Sequence, residues 1–247
     1  MAAAPYHPVV CDLLRRERAH EVLDAPCGQG WLGRAMGAEL ALDGKGLWEF
    51  PSSGGGYREV QEQDLEQAWR GVRRYDAVVC GEAIHLLASP GTAVESFWHA
   101  LRPGGLLILT TPNVWQQRSR VQFLLRGFHS GFRPAVGRCR GRDYITYFAW
   151  TFPLLHQLLT LAGYQDVTLH EVREPKPKRR IEHVLALPSW WYCRRQARRA
   201  PDAAQARFWH QAGSAQSLHG RWLVVSGRRP AAQTEPQAVS AASAMPL

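Results

Sequence analysis

The segment of this chain with the clearest capacity for chemistry is a short apolar run that ends in an acid and a glycine turn. It reads Val22-Leu23-Asp24-Ala25-Pro26-Cys27-Gly28-Gln29-Gly30, and a helix-like stretch follows over residues 31–36. A buried strand that stops at such a turn leaves backbone N–H groups at the carboxyl edge of a sheet, and glycines let a ligand approach that backbone closely. The segment therefore predicts a ligand-binding turn between a strand and a short helix.

Groups that can transfer protons follow a second apolar run, Tyr75-Asp76-Ala77-Val78-Val79-Cys80. Glu82 and His85 come soon after the end of this predicted strand. A carboxylate, and an imidazole that titrates near neutrality, can each act as a general base. His85 equally suits a histidine packed at the start of a helix, and the sequence leaves both interpretations open.

The elements that must position these groups alternate along the chain. Strands that are apolar almost throughout favour a mostly parallel sheet with helices on both faces, and we predict such an α/β fold. The predicted strands lie at about 20–24, within 39–48, and at 57–60, 75–80, 106–111, 164–171 and 221–226. The predicted helices lie at 8–18, 31–36, after Leu65 as far as Arg70, 92–101 and 151–162.

Length and charge limit the possible classes of protein. A chain of 247 residues suits one large domain, which we place at 1–227, followed by a tail at 228–247 whose composition predicts disorder. Thirty basic residues oppose 21 acidic ones, and much of the excess lies in 118–142 and 173–199. These two regions are either contact surfaces for an anionic partner or a solvated basic surface.

Cysteine usage and hydropathy exclude other classes. The five cysteines are widely spread, and none forms a pair or a Cys/His cluster with zinc spacing, so we expect neither a disulfide framework nor a structural metal. The sequence shows no signal-peptide pattern and no apolar run that approaches the roughly 20 residues of a membrane span. We therefore expect a cytoplasmic protein, at most peripheral at the inner face of a membrane.

Taken in order, five segments make the chain resemble the class I S-adenosylmethionine-dependent methyltransferases. The segments are the glycine-turn segment above, Gln63-Asp64-Leu65, Tyr75-Asp76-Ala77-Val78-Val79-Cys80-Gly81-Glu82, Leu101-Arg102-Pro103-Gly104-Gly105-Leu106 and Thr111-Pro112-Asn113. The subgroup it resembles most contains the ubiquinone-pathway O-methyltransferases and enzymes of bacterial surface-polysaccharide and lipid pathways. Members of that subgroup often carry a Thr-Pro-Asn turn followed by an Arg-rich segment, as this chain does from Arg118 onward.

The resemblance implies a Rossmann-like, doubly wound sheet of seven mostly parallel strands with an antiparallel final strand. It also implies S-adenosyl-L-methionine as the cofactor. Asp24 and the glycine turn would hold its amino-acid end, Asp64 its adenine amine, and Cys80 and Gly81 its methionine portion. The full set of implied cofactor residues is Asp24, Ala25, Cys27, Gly28, Gly30, Asp43, Asp64, Leu65, Cys80 and Gly81.

Two of these assignments have structural alternatives, and one departs from the family pattern. The structural alternative for Asp24 is a turn-capping acid, and that for Asp64 is an exposed helix N-cap. The acid that binds the cofactor ribose normally ends the second strand, but Gly46 occupies the best-matching position here. Either Asp43 or Glu49 could replace it, and we prefer Asp43.

The catalytic stretch also departs from the family pattern. The O-methyltransferases that the chain resembles carry Glu-x-x-Glu-His after strand four, which supports a metal in some of them. In this chain Glu82 is kept, His85 replaces the second glutamate, and Leu86 replaces the histidine. A metal site of the family type is therefore not expected, and Glu82 and His85 remain the candidate catalytic residues.

Two insertions would surround the acceptor. Residues 114–150 lie where this family builds a lid, and Arg118, Arg120, Tyr144 and Tyr147 are candidate acceptor-binding residues. The insertion at 173–217 combines basic residues with Trp190-Trp191-Tyr192, a composition typical of contact with an anionic membrane.

The leading hypothesis is O-methylation of a small-molecule or lipid- or glycan-linked acceptor. An RNA methyltransferase is an alternative suggested by charge alone. Strand four, however, ends in Cys80-Gly81-Glu82-Ala83, not in the Asn/Asp-Pro-Pro-aromatic motif of enzymes that methylate base amines, so nucleic acid is not the expected partner. A non-catalytic, methyltransferase-like binding protein is the second alternative, because the ribose acid and the catalytic stretch both depart from the family pattern.

Overall fold

Seven strands form one sheet in the computed structural model, which describes residues 4–47, 49–51, 55–71, 74–132, 145–174, 176 and 180–231. The strand order is β3-β2-β1-β4-β5-β7-β6. The strands are β1 Glu21–Asp24, β2 Ala41–Gly46, β3 Glu59–Glu62, β4 Tyr75–Gly81, β5 Leu101–Pro112, β6 Gln165–His170 and β7 Trp222–Arg228. All pairings are parallel except those of β7, which runs antiparallel to both β5 and β6. This topology confirms the predicted fold.

Helices cover both faces of the sheet. The helices in the described residues are α1 His7–Arg16, α2 Trp31–Met36, α3 Pro90–Ala100, α4 Gln117–Arg126, α5 Phe152–Leu161, α6 Arg180–Arg199, α7 Ala203–Ala212 and α8 Ala215–His219. Helices α1 and α2 pack on one face, and α3 and α5 on the other, so that the sheet separates two apolar cores.

The two cores follow from the alternation of side chains along each strand. Val22 and Ile108 face the core that contains Leu14 of α1, whereas their neighbours Leu23 and Leu107 face the other core. All four strand residues are fully buried. Because both faces of the central strands are covered, these strands carry apolar residues at consecutive positions rather than only at alternate ones.

One predicted helix is wrong. In place of a helix after Leu65, the chain makes a turn and then runs without regular structure as far as Gly71. Trp69 nevertheless stays buried, where the ammonium of Lys45 lies 4.7 Å from its ring centre. A cavity of about 380 Å³ lies along β2 and β3, bordered by Lys45, Gln61 and Trp69.

The insertions differ in how much regular structure they contain. The first contributes α4, and residues 133–144 lie outside the described part of the chain. The second forms α6, α7 and α8. Strand β7 continues to Arg228, two residues further than predicted, and the tail beyond Ala231 lies outside the described residues. Among the described helices, none is both long enough and apolar enough to cross a membrane.

Candidate functional site

The carboxyl ends of the central parallel strands meet at one edge of the sheet. Asp24, the last residue of β1, is in register with Gly44 of β2 and Val79 of β4. Gly81, the last residue of β4, is in register with Thr110 of β5. Parallel strands of an open α/β sheet bind ligands in the crevice outside these ends. The topology therefore brings the predicted glycine turn and the predicted catalytic stretch to the same edge.

The turn after β1 has the backbone geometry of a ligand cradle. Gly28 and Gly30 have φ values of 47° and 76°, a region that favours glycine, and Gly30 is the N-cap residue of α2. The N–H of Cys27 donates to the carbonyl of Lys45 over 2.7 Å, which fixes the turn against β2. Apart from Gly28 itself and its two neighbours in the chain, no described residue has an atom within 4 Å of the position that a Cβ of Gly28 would take. The turn is thus open directly above Gly28.

A loop packs against the glycine face of α2. A Cβ on Gly30 would lie 2.8 Å from Cβ of Pro51, and a Cβ on Gly33 would lie 2.0 Å from the carbonyl oxygen of Gly55. Gly37, one turn further on, would meet Cα of Gly56 at 2.6 Å. The glycines therefore allow two backbones to approach as closely as they do here.

The same loop places Tyr57 against the acid of the turn. The Tyr57 hydroxyl donates a hydrogen bond of 2.5 Å to Oδ2 of Asp24, and Oδ1 of Asp24 has no hydrogen-bond partner among the described residues. Asp24 is completely buried, and this burial raises its pKa to about 7, although the Tyr57 hydrogen bond opposes the shift. Asp24 thus has one buried oxygen without a hydrogen-bond partner in the described residues, close in sequence to the open turn.

The two cysteine thiols at this edge are not in a reactive state. Cys27 and Cys80 are buried, and burial raises the pKa of each thiol to about 12. Because the thiolate is the nucleophilic form of cysteine, neither side chain is activated for covalent catalysis.

The two candidate ribose acids occupy different environments. Asp43 lies in the middle of β2, where its carboxylate accepts two hydrogen bonds of 2.9 Å from Arg58 and one of 3.0 Å from the Tyr75 hydroxyl. Glu49 is exposed in the loop beyond the carboxyl end of β2. Asp43 thus forms an ion pair with Arg58 within the sheet. This contact argues against Asp43, the preferred candidate, as the ribose ligand.

Asp64 and Leu65 lie just beyond the carboxyl end of β3. The Asp64 carboxylate accepts a hydrogen bond of 2.9 Å from the backbone N–H of Glu66 and one of 3.3 Å from the Gln67 amide. It therefore caps a turn, not a helix. Leu65 is buried in the core next to Trp69. Asp64 remains half-exposed at the edge where the resemblance places the adenine amine.

Glu82 follows β4 in an unusual backbone conformation. Its φ is 51°, and its N–H donates to both the carbonyl and the hydroxyl oxygen of Thr110, at 3.0 and 3.1 Å. Its carboxylate accepts a hydrogen bond from Tyr6, and burial raises the pKa of Glu82. A non-glycine residue held at positive φ is costly, and such strain concentrates at functional sites. Glu82 is thus held at the edge with a carboxylate that binds a proton more readily than usual.

His85 is held on two sides. Its Nδ1 lies 3.2 Å from the hydroxyl oxygen of Thr111, and its backbone carbonyl accepts a hydrogen bond of 3.0 Å from the N–H of Tyr147. Burial lowers the pKa of His85 to about 4, so that the imidazole is neutral at physiological pH. A neutral imidazole has the free lone pair that a general base requires, but the lowered pKa makes His85 a weaker base than an ordinary histidine.

The amino-terminal helix also contributes residues to this edge, and the sequence motifs do not indicate this contribution. Tyr6 is buried and bonds to Glu82, and His7 stacks on Trp31 with ring centres 3.8 Å apart and planes 3° apart. Tyr6, His7, Trp31 and Tyr57 were not predicted from the sequence to lie at this edge. Trp31 directly follows the glycine turn, which was the one available signal, whereas Tyr6 and Tyr57 reach the site by tertiary folding.

The predicted acceptor residues do not converge. Arg118 is exposed on α4, and Tyr147 is exposed near His85. Arg120 points toward α6, where it donates a hydrogen bond of 3.0 Å to the Ser189 hydroxyl. Tyr144 lies outside the described residues. Arg120 therefore connects two helices, and Tyr147 is the candidate next to the catalytic stretch.

Within the described ranges, no cluster of three or more His, Cys, Asp or Glu side chains is arranged to hold a metal ion.

Comparison with known sequences gives one family and one curated relative. A family model described as a methyltransferase domain matches residues 9–213. The ubiquinone biosynthesis O-methyltransferase of Serratia proteamaculans strain 568 is 30% identical over 102 residues, which cover 37% of this chain and 42% of that protein. The chain therefore matches about two-fifths of the length of this relative.

Solved structures share the fold. An S-adenosylmethionine-dependent methyltransferase from Mesorhizobium loti aligns with a TM-score of 0.51 at 15% identity, over 92% of this chain and 99% of that one. The 1,6-didemethyltoxoflavin-N1-methyltransferase of Burkholderia thailandensis also aligns with a TM-score of 0.51, at 17% identity, over 92% of this chain and 79% of that one. At these identities the likeness shows the fold alone.

Proposed function

This chain belongs to the family of methyltransferase domains, and on that basis we propose that it transfers a methyl group from S-adenosyl-L-methionine to the oxygen of a small-molecule acceptor. One observation carries the proposal. A free, buried carboxylate oxygen of Asp24 lies beside an open glycine turn, at the same sheet edge as two groups that can accept a proton.

The residues at the turn fit the amino-acid end of this cofactor. Its ammonium group needs an acceptor, and Oδ1 of Asp24 is a buried acceptor without a partner in the described residues. Its carboxylate needs N–H donors and room, and the open space above Gly28 offers room at a helix start. We propose that Asp24, Gly28 and Gly30 hold this end, with Cys80 and Gly81 beside it at the end of β4.

For the nucleoside, we propose Glu49 as the ribose ligand and Asp64 as the acceptor for the adenine amine. Glu49 follows the carboxyl end of β2 and is exposed, whereas the Asp43 carboxylate is held by Arg58 and Tyr75. Asp64 is half-exposed beyond β3.

When bound, the cofactor supplies an electrophilic methyl group on a sulfonium. The protein contributes position and proton acceptance, because in-line displacement depends mainly on holding the two reacting atoms together. Glu82 and His85 follow β4, and we propose that one of them takes the proton of an acceptor hydroxyl: burial raises the pKa of Glu82 and lowers that of His85. Tyr6 orients the Glu82 carboxylate, and Thr111 orients the His85 imidazole.

A paired set of proton acceptors supports transfer to oxygen. A hydroxyl must lose its proton during methylation, so a general base accelerates the reaction. The partial match to a ubiquinone biosynthesis O-methyltransferase also supports this assignment, although the toxoflavin enzyme with the same fold is named an N-methyltransferase. The acceptor class is a small molecule, free or linked to a lipid or glycan.

Titration calorimetry of the full chain with S-adenosylmethionine and S-adenosylhomocysteine tests the proposal. We expect micromolar binding that is lost in Gly28→Arg, which fills the open space above the turn, and kept in Gly91→Arg at the exposed start of α3. Methyl transfer to phenols and lipid-linked sugars is then measured with a labelled methyl group.

Three other results would contradict the proposal in different ways. A folded chain that binds neither molecule would not be an enzyme of this kind. Cofactor binding without transfer to any acceptor would favour a non-catalytic binding protein. Transfer to RNA in preference to small molecules would favour the RNA methyltransferase alternative.

A further inference from the structure

Two helices outside the candidate site expose an apolar surface. On α4, Leu124 and Leu125 are 84% and 78% exposed, and Phe123 is 51% exposed. On α6 the exposed apolar side chains are Ile181, Val184, Leu185, Leu187, Trp190, Trp191 and Tyr192. Single exposed apolar residues are ordinary, but a cluster of this size on adjacent helices marks an interaction surface.

The two helices form one continuous surface, which we call the α4–α6 surface. Helix α4 packs against α6, and the hydrogen bond from Arg120 to Ser189 joins them. The buried residues of α6 are confined to Ala186, Cys193 and Ala197, which lie on one narrow stripe. Most other side chains of α6 are exposed, although Ser189 bonds to α4 and Tyr192 contacts Trp209 of α7.

The charge of these two helices is predominantly positive. Helices α4 and α6 together carry eight arginines and one glutamate, a surplus of seven positive charges in a chain whose net charge is +9. On α6 the exposed apolar residues occupy the first part, and Arg194, Arg195, Arg198 and Arg199 occupy the last turns. An apolar area bordered by arginines complements a partner that is itself apolar with an anionic border.

A pocket lies where the apolar and basic parts of α6 meet. It has a volume of about 340 Å³ and is lined by Trp190, Arg194, Arg198, Trp209, His210 and Gly213. The Arg194 guanidinium lies 5.0 Å from the ring centre of Trp190, and Arg195 lies 5.4 Å from that of Trp191. Arg194 and Arg198, which both line the pocket, lie one helical turn apart. Their guanidinium groups suit a phosphate group, because arginine binds phosphate with charge-assisted hydrogen bonds.

We propose that the α4–α6 surface docks on an anionic phospholipid bilayer, with a lipid phosphate bound between Arg194 and Arg198. Leu124, Leu125 and the apolar part of α6 enter the boundary between headgroups and acyl chains, and the tryptophans lie at headgroup depth, where this side chain is enriched. A second copy of the chain fits less well, because its own arginines would face these. Docking goes beyond methyl transfer and does not depend on it.

Flotation of the full chain with vesicles tests this proposal. We expect binding to vesicles of phosphatidylcholine mixed with phosphatidylglycerol, little binding to phosphatidylcholine alone, and loss of binding as salt rises. Leu124→Glu combined with Leu125→Glu should lower the partition coefficient at least tenfold. Arg194→Gln and Arg198→Gln should each lower it about fivefold, the effect of one basic residue at an anionic surface.

Matched variants separate the surface from general effects. Leu161→Glu changes a leucine of α5 that is 59% exposed, and Arg16→Gln removes an exposed arginine of α1. We expect both to bind vesicles as the wild type does. Circular dichroism and cofactor titration of every variant establish that the fold and the cofactor site are intact, so that failure of docking and failure of the proposed function are distinguishable.

Several outcomes would overturn the proposal. One is equal binding to neutral and anionic vesicles, and another is unchanged binding by the Leu124/Leu125 double variant. Binding to RNA but not to anionic vesicles would assign the arginines to nucleic acid. A dimer in solution that the double variant dissociates, without any vesicle binding, would assign the surface to a second copy.

Discussion

The hydroxyl of Tyr57 donates a 2.5 Å hydrogen bond to Oδ2 of Asp24, thirty-three residues earlier in the chain. Through this contact, the loop before β3 buries the acid that ends β1. One oxygen of Asp24 is thereby held by the protein, and the other is left for a ligand. Ionisation of the buried Asp24 carboxylate is unfavourable, and a positively charged ligand group beside it would offset this cost.

Asp24→Asn should make stability less dependent on pH. Burial raises the pKa of Asp24 from 3.8 to about 7, so the stability associated with its protonated form is complete below pH 4 and is lost as pH rises through 7. Burying the ionised carboxylate costs roughly 4 kcal/mol at pH 8, and asparagine removes this cost. The buried amide, which lacks hydrogen-bond partners, in turn destabilises the variant by about 1–3 kcal/mol. In urea unfolding, the free energy of unfolding of the variant relative to that of the wild type should therefore be higher at pH 8 than at pH 5.

The same substitution should weaken cofactor binding at least tenfold, because a charged acceptor for the ammonium is replaced by a neutral one. Asp76→Asn is the control, because the pKa of Asp76 is shifted in the opposite direction to that of Asp24. Burial of Asp76 opposes ionisation, but hydrogen bonds from the N–H groups of Glu21 and His20 and from Arg102 outweigh it and lower its pKa. That variant should lose stability at neutral pH and keep cofactor affinity. Equal pH dependence of Asp24→Asn and the wild type would contradict the assignment.

Gly33→Ala should destabilise the protein even though alanine favours helices. A Cβ at this position would lie 2.0 Å from the Gly55 carbonyl oxygen and 2.4 Å from the Tyr57 ring. The helix preference gains about 0.5–1 kcal/mol, whereas forcing the loop away costs about 1–3 kcal/mol and removes Tyr57 from Asp24. Thermal unfolding and cofactor titration should both show a loss.

Gly91→Ala is the matched control for this prediction. No described atom lies within 4 Å of its Cβ position in the first turn of α3. The change in unfolding free energy should stay within about 0.5 kcal/mol. A Gly33→Ala variant as stable as Gly91→Ala would show that the loop does not pack on α2 as described.

The sequence predicted the parts of the fold that depend on local pattern. The apolar runs that became β4 and β5, and the glycine turn before α2, carry their signal in adjacent residues. The helix predicted after Leu65 did not form, because its apolar residues Leu65 and Trp69 are buried by a turn equally well. Periodicity over so few residues does not distinguish the two structures.

The candidate site was only partly predictable for a different reason. Asp24, Glu82 and His85 lie in or beside motifs, and the topology brings them together. Tyr6 and Tyr57 reach the same edge from an amino-terminal helix and from a glycine-rich loop. Nothing in their own sequence neighbourhood indicates a site, since their roles depend on contacts between distant segments. The contacts of Asp43 were unpredictable for the same reason, because its partners Arg58 and Tyr75 come from other strands or their ends.

Glu49→Gln and Asp43→Asn should separate cofactor binding from stability. If Glu49 holds the ribose, its substitution removes a charged hydrogen bond and should raise the dissociation constant of S-adenosylhomocysteine about 10-fold or more without changing the melting temperature. Asp43→Asn should instead lower the melting temperature, because Arg58 loses the carboxylate that it grips with two hydrogen bonds. The opposite pattern in calorimetry and thermal unfolding would restore Asp43 as the ribose ligand.

His85→Asn should lower the rate of methyl transfer about 10²–10⁴-fold, the usual contribution of a general base, with cofactor affinity unchanged. Asparagine can still bond to the Thr111 hydroxyl but cannot take up a proton at neutral pH, so the substitution removes basicity while keeping the local contact.

Because burial lowers the pKa of His85 to about 4, the rate of methyl transfer should not follow the ionisation of His85 above pH 6. The stability associated with the neutral ring should decline only as pH falls from 6.5 toward 4. Glu82→Gln provides the comparison, since a larger loss there would make the carboxylate the base. A His85→Asn variant with normal turnover and a lower melting temperature would show that the imidazole only fills space at the end of β4.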